Sequence, residues 1–258
     1  APGTKTLTSD VATVDISNAD KGYIMINYTG TSPKVKMQLV TPADVTYTYT
    51  LHKGNYETFN LTDGNGRYHV TVFENSHDDL YSTALSEDFD AQITDAFSPF
   101  LYPNQYVNFN ASCKTVDMGR QLAKPCSSDL EVVTNVYDYC IGNITYDEDK
   151  AKNVKSGYLP DVDEILDSKK GICFDYAAVM ATMLRTQNIP TRLEVGYVSS
   201  AYHAWVSVYL KDIGWVNGII EFDGKDWELM DPTLAASKSE KQLKSFIGDG
   251  SVYRTKFV

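Results

Sequence analysis

The sequence changes its pattern near residue 95, and the two parts on either side require different folds. Between residues 11 and 89, short runs of β-branched and aromatic residues alternate with turn residues, which is typical of an all-β sandwich. The turn sequence Asp63-Gly64-Asn65-Gly66 indicates a β-hairpin. Strands are predicted at 22–28, 34–40, 45–51, 55–61, 67–74 and 81–89. We therefore expect residues 1–95 to form a β-sandwich that acts as a binding module or as a spacer.

The segment 96–111 is predicted as a linker, because Pro99 and Pro103 interrupt any regular element there. Beyond it, a helical hairpin turning at Pro125 is predicted, with Ser112 and then Ser127 or Ser128 as N-caps. The predicted helices are 113–124, 127–142, 161–168 and a polar one near 238–246, and the predicted strands are 192–199, 203–210, 218–222, 227–230 and 252–257.

The most regular helical pattern follows Gly171-Ile172, where apolar residues recur at three- and four-residue spacing from Ala177 to Leu184. Helices followed by antiparallel strands indicate an α+β domain over residues 112–258. The whole chain is thus predicted as a β-sandwich followed by an α+β domain with a helical part and an antiparallel sheet.

The charge balance excludes some partners. The chain has 23 Lys and Arg against 34 Asp and Glu, a net charge of −11, so its field repels phosphate backbones and nucleic acid is not an expected partner. The longest apolar run, 177–184, is far shorter than the ~18 residues of a membrane span. The four cysteines lack the spacing of a zinc site, and the acidic run Asp147-Glu148-Asp149 is predicted as a solvated turn. No metal and no cofactor are expected.

Cys173 is the candidate nucleophile, because it follows Gly171-Ile172 at the predicted start of the regular helix. Helix N-termini present free N–H groups and partial positive charge, which favour a thiolate and lower the pKa of a cysteine. The same N–H groups can hold the oxygen anion of a tetrahedral intermediate. Asp175 is expected to stabilise the helix N-terminus. A buried structural cysteine is the alternative interpretation.

His203 and Asp231 could complete a catalytic triad with Cys173. Strand alternation places His203 and Trp205 on one face and Ala204 on the apolar face. Asp231 ends the next strand before Pro232, and a carboxylate there could orient the imidazole. The histidines of the first part, His52, His69 and His77, are expected to be structural or solvated.

Three motifs in this order resemble the transglutaminase-like superfamily: GICFDYA at 171–177, YHAW at 202–205 and WELMDPT at 227–233. The resemblance spans about residues 128–236 and implies a papain-like fold. It also implies that Cys173 is the nucleophile, His203 the base and Asp231 the orienting residue. The implied chemistry is attack on a carboxamide to give a thioester, which water or an amine then resolves. The family includes protein cross-linkers, peptidases, amidases and inactive members.

The remaining site residues are less specific. A second oxyanion donor is expected from an upstream side chain, with the polar segment Ser156-Gly157-Tyr158 as the candidate, and Tyr158 is also expected to bind substrate. Trp205 and Trp215 could line an acyl channel and bind substrate, although aromatic residues in strands are more often core. We predict acyl transfer on peptide or protein amides and rank hydrolysis ahead of cross-linking, two reactions that the sequence does not separate; the alternative is a non-catalytic binding module at the cell surface.

Location and partners follow from the same reading. A disulfide between Cys113 and Cys140 is geometrically possible if the helical hairpin forms, and it would indicate an oxidising exterior. With the sandwich, this favours an extracellular or cell-surface protein. Expected partners are peptide or protein substrates, cell-wall or surface components among them, and we expect a monomer.

Overall fold

A computed structural model describes the backbone of residues 1–198, 201–222, 227–229 and 253–257. Side chains are described for 1–195, 204–220 and 229. The chain divides into two compact units, Ala1–Gln105 and Tyr106–Val258.

The first unit contains two four-stranded antiparallel sheets, with strand orders β1-β2-β3-β6 and β5-β4-β7-β8. Their strands are β1 Thr6–Thr8, β2 Ala12–Asp15, β3 Tyr23–Tyr28, β4 Val35–Val40, β5 Thr46–Leu51, β6 Glu57–Asn60, β7 Gly66–His77 and β8 Leu80–Ala91. All six strands predicted from the sequence are present, and β1 and β2 were not predicted. Both missed strands are short, at three and four residues, and therefore give too few alternating positions for a pattern.

Alternation along the strands builds the core of this unit. In β7, Tyr68, Val70 and Val72 are fully buried, whereas His69 between them is half-buried. Period-2 alternation sends the three apolar side chains to one face of the sheet, where they leave water together. Tyr49 and Phe59, from the two different sheets, pack edge to face with ring centroids 4.9 Å apart.

The turn sequence from Asp63 to Gly66 does not form the predicted hairpin. It links β6 to β7, and these strands lie in different sheets: β6 pairs with β3, and β7 pairs with β4 and β8. Turn residues signal a reversal of the chain, but side-chain burial decides which strand becomes the partner. The hairpin that β7 does form closes after His77, with Asp78 at a positive φ of 47°.

The segment from 95 to 105, predicted as part of a linker, packs on the first unit. Ser98 Oγ donates to the backbone oxygen of Lys21 at 2.8 Å, and the Gln105 side chain donates to that of Thr50 at 2.7 Å. Asn60 also donates to the carbonyl of Pro99. Residues 98–100 form a buried 3₁₀ turn around this proline. Pro99 therefore lies in a packed segment of the first unit and not in an open linker.

The second unit is α+β, as predicted. Its elements are α1 Lys114–Ala123, α2 Asp129–Asn143, β9 Thr145–Tyr146, α3 Glu148–Asn153, α4 Val162–Ser168, β10 Lys170–Gly171, α5 Cys173–Arg185, β11 Thr191–Val198, β12 Ala201–Leu210, β13 Gly214–Phe222, β14 Trp227–Leu229 and β15 Tyr253–Phe257. The larger sheet is antiparallel with the order β14-β13-β12-β11-β15. The pair β9 and β10 is parallel.

Helix α5 lies at the centre of this unit, and all 13 of its residues are buried. It packs against α1, α2 and α4 and against strands β11 and β12. Gly119 of α1 packs closely on α5, because an added Cβ would lie 2.9 Å from the Cα of Met183. The predicted apolar positions are therefore only part of a helix that is buried on all sides. This burial fixes the position of Cys173, the first residue of α5.

Two helix starts differ in how they are capped. Ser128, one of the two serines predicted as the N-cap, caps α2 by accepting from the backbone N–H of Glu131. The start of α1 is capped not by Ser112 but by Asp163 of α4, whose carboxylate accepts from the backbone of Lys114 and Thr115 at 3.0 and 2.9 Å. A cap supplied by a distant residue leaves no local sequence signal.

The acidic run at 147–149 begins a helix, so the predicted turn was wrong, although Glu148 and Asp149 are exposed to solvent as expected. Asp147 accepts from the backbone of Lys150 and caps α3, while Glu148 and Asp149 form the first turn of the helix. Acidic residues suit a helix N-terminus because they interact favourably with its partial positive charge. The polar helix predicted near 238–246 lies outside the described residues.

Candidate active site

Cys173 is the first residue of α5, immediately after β10. Its side chain is nearly buried, with 7% of the residue exposed. The parallel pairing of β9 with β10, which sets Gly171 opposite Tyr146, holds the chain just before the cysteine. Cys173 therefore lies at a helix N-terminus, as predicted.

Besides the N–H of Cys173 itself, two backbone N–H groups from other residues hydrogen-bond to the sulfur of Cys173, and they come from different elements. One belongs to Phe174 in the first turn of α5, and the other belongs to Ala204 in β12. Ala204 directly follows His203, so the backbone at position 203 lies beside the cysteine. The side chain of His203 and the whole of Asp231 lie outside the described residues, and the triad itself stays a prediction.

Burial raises the pKa of the Cys173 thiol to about 11. The N–H groups of Phe174 and Ala204 act in the opposite direction, and the nearby charge of Asp175 adds to the rise. The expectation that the helix N-terminus would lower this pKa was wrong, because the loss of solvation exceeds the stabilisation by the N–H groups. Burial around the sulfur therefore favours the neutral thiol over the thiolate.

Asp175 is fully buried and fixes the start of α5. Its Oδ2 accepts from the backbone N–H of Ile172 at 2.9 Å, which confirms the predicted role at the helix N-terminus. Gly171 packs directly on this side chain, since an added Cβ would lie 2.7 Å from the Cβ of Asp175. The carboxylate also accepts from Lys150 Nζ at 2.6 Å, a partner that the sequence analysis missed.

Tyr158 lies beside Asp175 but not as an oxyanion donor. Its hydroxyl donates to Asp175 Oδ1 at 2.6 Å and accepts from Lys150 Nζ at 2.6 Å. Burial and the hydrogen bond to the carboxylate raise the Tyr158 pKa well above its ordinary value. Because the hydroxyl proton is engaged by Asp175, the structure does not support the predicted role for this residue. Its ring instead meets that of Phe174 edge to face, with centroids 6.4 Å apart.

Tyr146 of β9 is a second site residue that the sequence analysis missed. Its pKa is raised to about 12, first by burial and then by the charges of Cys173, Glu148 and Asp175. Tyr146 lies opposite Gly171 in the pairing of β9 with β10, two residues before Cys173. The parallel pairing of two two-residue strands, β9 and β10, creates this proximity, and such short strands carry no sequence pattern.

The two predicted tryptophans lie at different places on the sheet. Trp205 is nearly buried, and its side chain donates to the carboxylate of Glu194 on β11. Ser207 donates to the same carboxylate. Burial raises the Glu194 pKa. Trp205 therefore belongs to a buried polar cluster on the sheet, and its immediate neighbour Ala204 is the residue that contacts the sulfur.

Trp215 lies near the hairpin that joins β12 to β13. It pairs with Tyr209, which is five residues and roughly 17 Å along the strand from Ala204. Its ring stacks on Arg192, with the guanidinium carbon 3.9 Å from the ring centroid. The structure therefore does not bring Trp215 next to Cys173.

One histidine of the first unit has more partners than expected. His69 Nδ1 is 2.8 Å from Asp88 Oδ1, and His69 Nε2 is 3.0 Å from Ser86 Oγ. These residues are cross-strand neighbours on the open face of β7 and β8, and Arg67 pairs with the same aspartate at 2.6 Å. The order of contacts is that of a serine hydrolase triad, but such catalysis also needs positioned oxyanion donors. We interpret the group as an exposed cross-strand network.

The described residues hold no cluster of three or more His, Cys, Asp or Glu side chains suited to a metal. All four cysteines are free thiols in the structure, so Cys113 and Cys140 are not joined. Cys140 is buried in the core, and burial raises its pKa. Within the described ranges, no helix has the length and apolar character of a membrane span.

Comparison with known proteins finds a family model that is similar to part of the second unit. Residues 116–218 match the model of the transglutaminase-like superfamily, which confirms the resemblance over a range that includes the motifs at 171–177 and 202–205 but not the one at 227–233. UPF0252 protein MJ1282 of Methanocaldococcus jannaschii is 34% identical over 88 residues, which are 30% of this chain and 25% of the relative. The chain thus spans about a quarter of the length of this curated relative.

Three solved structures from different organisms are partly similar to this chain. A candidate cysteine protease from Cytophaga hutchinsonii is 16% identical with a TM-score of 0.39, covering 89% of this chain and 78% of that one. Red sea bream transglutaminase is 15% identical with a TM-score of 0.32, covering 82% and 48%. The periplasmic domain of TgpA from Pseudomonas aeruginosa is 12% identical with a TM-score of 0.37, covering 94% and 99%. At this level of similarity, the family assignment rests on the profile match.

Proposed function

We propose that this chain, whose second unit carries a transglutaminase-like domain, catalyses acyl transfer from peptide or protein carboxamides to water. The observation that carries the proposal is the contact between the sulfur of Cys173 and the N–H of Ala204. A nucleophile needs a base within hydrogen-bond reach, and this contact brings the sulfur to the residue next to His203.

In the proposed mechanism, His203 accepts the thiol proton while the sulfur of Cys173 attacks the carbonyl carbon. The backbone N–H of Cys173 stabilises the developing oxyanion. The imidazolium then gives its proton to the leaving nitrogen, the C–N bond breaks and a thioester remains. Water attacks the thioester as His203 takes a proton from it, and the carboxylic acid leaves while the proton returns to the sulfur. Asp231 is assigned to orient the imidazole.

The raised pKa of Cys173 favours this order of events. A sulfur whose pKa is about 11 is protonated at neutral pH, so the proton must move to the base during the attack. His203 acts in this scheme as a general base toward a thiol, and not as the partner of a preformed thiolate.

Hydrolysis is our first assignment, and amine transfer is the second reaction that the same thioester permits. A non-catalytic surface module that retains the fold is the competing hypothesis. The extracellular or cell-surface location belongs to the proposal, supported by the sandwich module and the acidic charge, but not by a disulfide. The substrates assigned are peptides or proteins, including cell-wall or surface components.

The experiment is mass spectrometry of peptide mixtures incubated with the protein, with and without an added primary amine. Cleavage or deamidation that depends on Cys173 would support hydrolysis, and amine incorporation would support cross-linking chemistry. The Cys173→Ala variant should give none of these products, whereas Cys126→Ser should match the wild type. Unchanged peptides in all samples would favour the binding module.

A further inference from the structure

Lys150 forms the closest charged contact to the buried carboxylate near the candidate nucleophile. Its Nζ lies 2.6 Å from Asp175 Oδ2 and 2.6 Å from the hydroxyl of Tyr158, and 4.3 Å from the centroid of that tyrosine ring. The Asp175 side chain is 0% exposed, and that of Lys150 is 29% exposed. This is a compact ion pair, buried at its acidic end, between α3 and the first turn of α5.

The carboxylate of Asp175 has two opposed effects on Cys173. Its hydrogen bond to the Ile172 N–H holds the start of α5, where the sulfur is attached. Its negative charge, two residues from the cysteine, disfavours a thiolate. A buried carboxylate without a partner would be costly and would oppose ionisation of the thiol even more strongly. The ammonium group of Lys150 offsets that charge while leaving the hydrogen bond in place.

We propose that Lys150 is a positioning residue that holds Asp175 against the start of α5 and compensates its charge, so that the thiol of Cys173 can react. The inference rests on the proposed function for its biological meaning, but the contacts that carry it do not involve His203. It assigns a role in the site to α3, the helix that the sequence analysis interpreted as a solvated turn.

The other groups around the sulfur do not replace this cation. Tyr146 approaches from β9, with Glu148 of α3 near it, and Tyr158 approaches from the loop before α4. Strand β12 contributes the N–H of Ala204. These groups are neutral or acidic, so Lys150 supplies the positive charge among the described side chains that contact Asp175.

The test measures the rate of iodoacetamide alkylation of Cys173, read by peptide mapping at pH 8 to 10 in the His203→Ala background. Below the thiol pKa, this rate follows the thiolate fraction, which changes tenfold per pKa unit. Lys150→Met should slow alkylation about tenfold, and Lys150→Arg, which keeps the charge, should stay near the parent rate. Lys152→Met is the matched control: this exposed lysine of the same helix pairs with Glu148 at 3.9 Å. It should leave the rate unchanged.

Asp175→Asn provides the opposite half of the test. It leaves the lysine charge and removes the carboxylate, so alkylation should become faster, by up to about tenfold, and the double variant with Lys150→Met should return close to the parent rate. A structural role alone predicts that both single variants change the rate in the same direction or not at all, and either result would overturn the proposal. If Lys150→Met does not fold, Asp175→Asn decides alone, and a slower or unchanged rate contradicts the assignment. Since alkylation needs no turnover, failure of acyl transfer would leave this result intact.

Discussion

The backbone N–H of Ala204 points at the sulfur of Cys173 and thereby ties the start of a buried helix to a strand of the sheet. Neither residue can move easily, because Ala204 is fully buried and all of α5 is enclosed. Catalytic geometry depends on such rigid support, since small displacements of reacting groups are costly in rate. The contact brings the backbone of β12 next to Cys173, and the pairing of Cys173 with His203 stays a prediction.

Replacing the nucleophile should abolish activity without loss of the fold. Cys173→Ser exchanges sulfur for oxygen at a nearly buried site, and we expect product formation from peptide carboxamides to fall by at least about 10³-fold. Cys126→Ser is the control, because Cys126 donates to the carbonyl of Leu122 and accepts from the Asn135 side chain, and a serine hydroxyl can do both. Thermal unfolding should confirm that both variants fold. Residual activity near that of the wild type in Cys173→Ser would contradict the assignment.

The close packing of Gly171 on Asp175 predicts a second sensitive position. In Gly171→Ala, the new Cβ would lie 2.7 Å from the Cβ of Asp175, so the start of α5 must shift. We expect activity to fall at least about tenfold and the free energy of unfolding to fall by about 1–3 kcal/mol. Peptide turnover and urea unfolding measure the two effects. Full activity in this variant would mean that the junction before Cys173 tolerates movement.

The strands of the first unit were predictable because their alternation is local. In β7, for example, Tyr68, Val70 and Val72 follow one another at period two, and the structure buries all three. The partner of β6 was not predictable, because Asp63 to Gly66 has the composition of a hairpin turn while burial sends the chain to the other sheet. Pattern indicates an element, whereas pairing depends on contacts distant in sequence.

The contact between α1 and α5 predicts that a glycine-to-alanine substitution, which would stabilise an isolated helix, destabilises this protein. Gly119→Ala would stabilise an isolated helix, but its Cβ would lie 2.9 Å from the backbone of Met183. We expect the free energy of unfolding to fall by about 1–3 kcal/mol in urea denaturation. Gly142→Ala in α2 is the matched control, because nothing lies within 4 Å of its added Cβ. It should be neutral or stabilising by up to about 1 kcal/mol. Equal effects of the two substitutions would rule out the tight contact.

The cap on α1 predicts a pH dependence of stability. Asp163 is partly buried, which raises its pKa, but hydrogen bonds from Thr115 and Lys114 prevail and the folded-state pKa is lowered. A lowered pKa means that the stabilisation is present above the unfolded value near 3.9 and is lost as the pH falls through the folded value. We expect Asp163→Asn to cost about 1–2 kcal/mol at pH 7 and less below pH 3.

Urea unfolding at several pH values measures this difference. Asp167→Asn, on the same helix, is the control, because that exposed carboxylate pairs with Lys114 Nζ on the surface. Its effect should stay below about 1 kcal/mol at pH 7. If the free energies of unfolding of wild type and Asp163→Asn differ by the same amount at pH 7 and pH 3, the assignment of Asp163 as the cap is contradicted.

The candidate site was predictable only in part. Cys173 precedes a long regular pattern, so its place at a helix N-terminus could be deduced from the sequence. Lys150 and Tyr146 could not be deduced, because α3 and β9 are short, and the contact of Lys150 with Asp175 and the pairing of Tyr146 with Gly171 arise from tertiary packing. The direction of the shift in the Cys173 pKa was also predicted wrongly, because burial depends on the surrounding elements and not on the helix end alone.

The proximity of Cys173 to His203 is the central claim, and alkylation of wild type and His203→Ala over a pH series tests it most directly. The account predicts that wild-type Cys173 reacts with iodoacetamide at pH 7 at least about tenfold faster than in His203→Ala. In that variant the rate should instead climb toward pH 11, in line with the burial-raised pKa. His69→Ala, which removes an imidazole from the first unit, should match the wild type. Identical rates and pH profiles for wild type and His203→Ala would contradict the account.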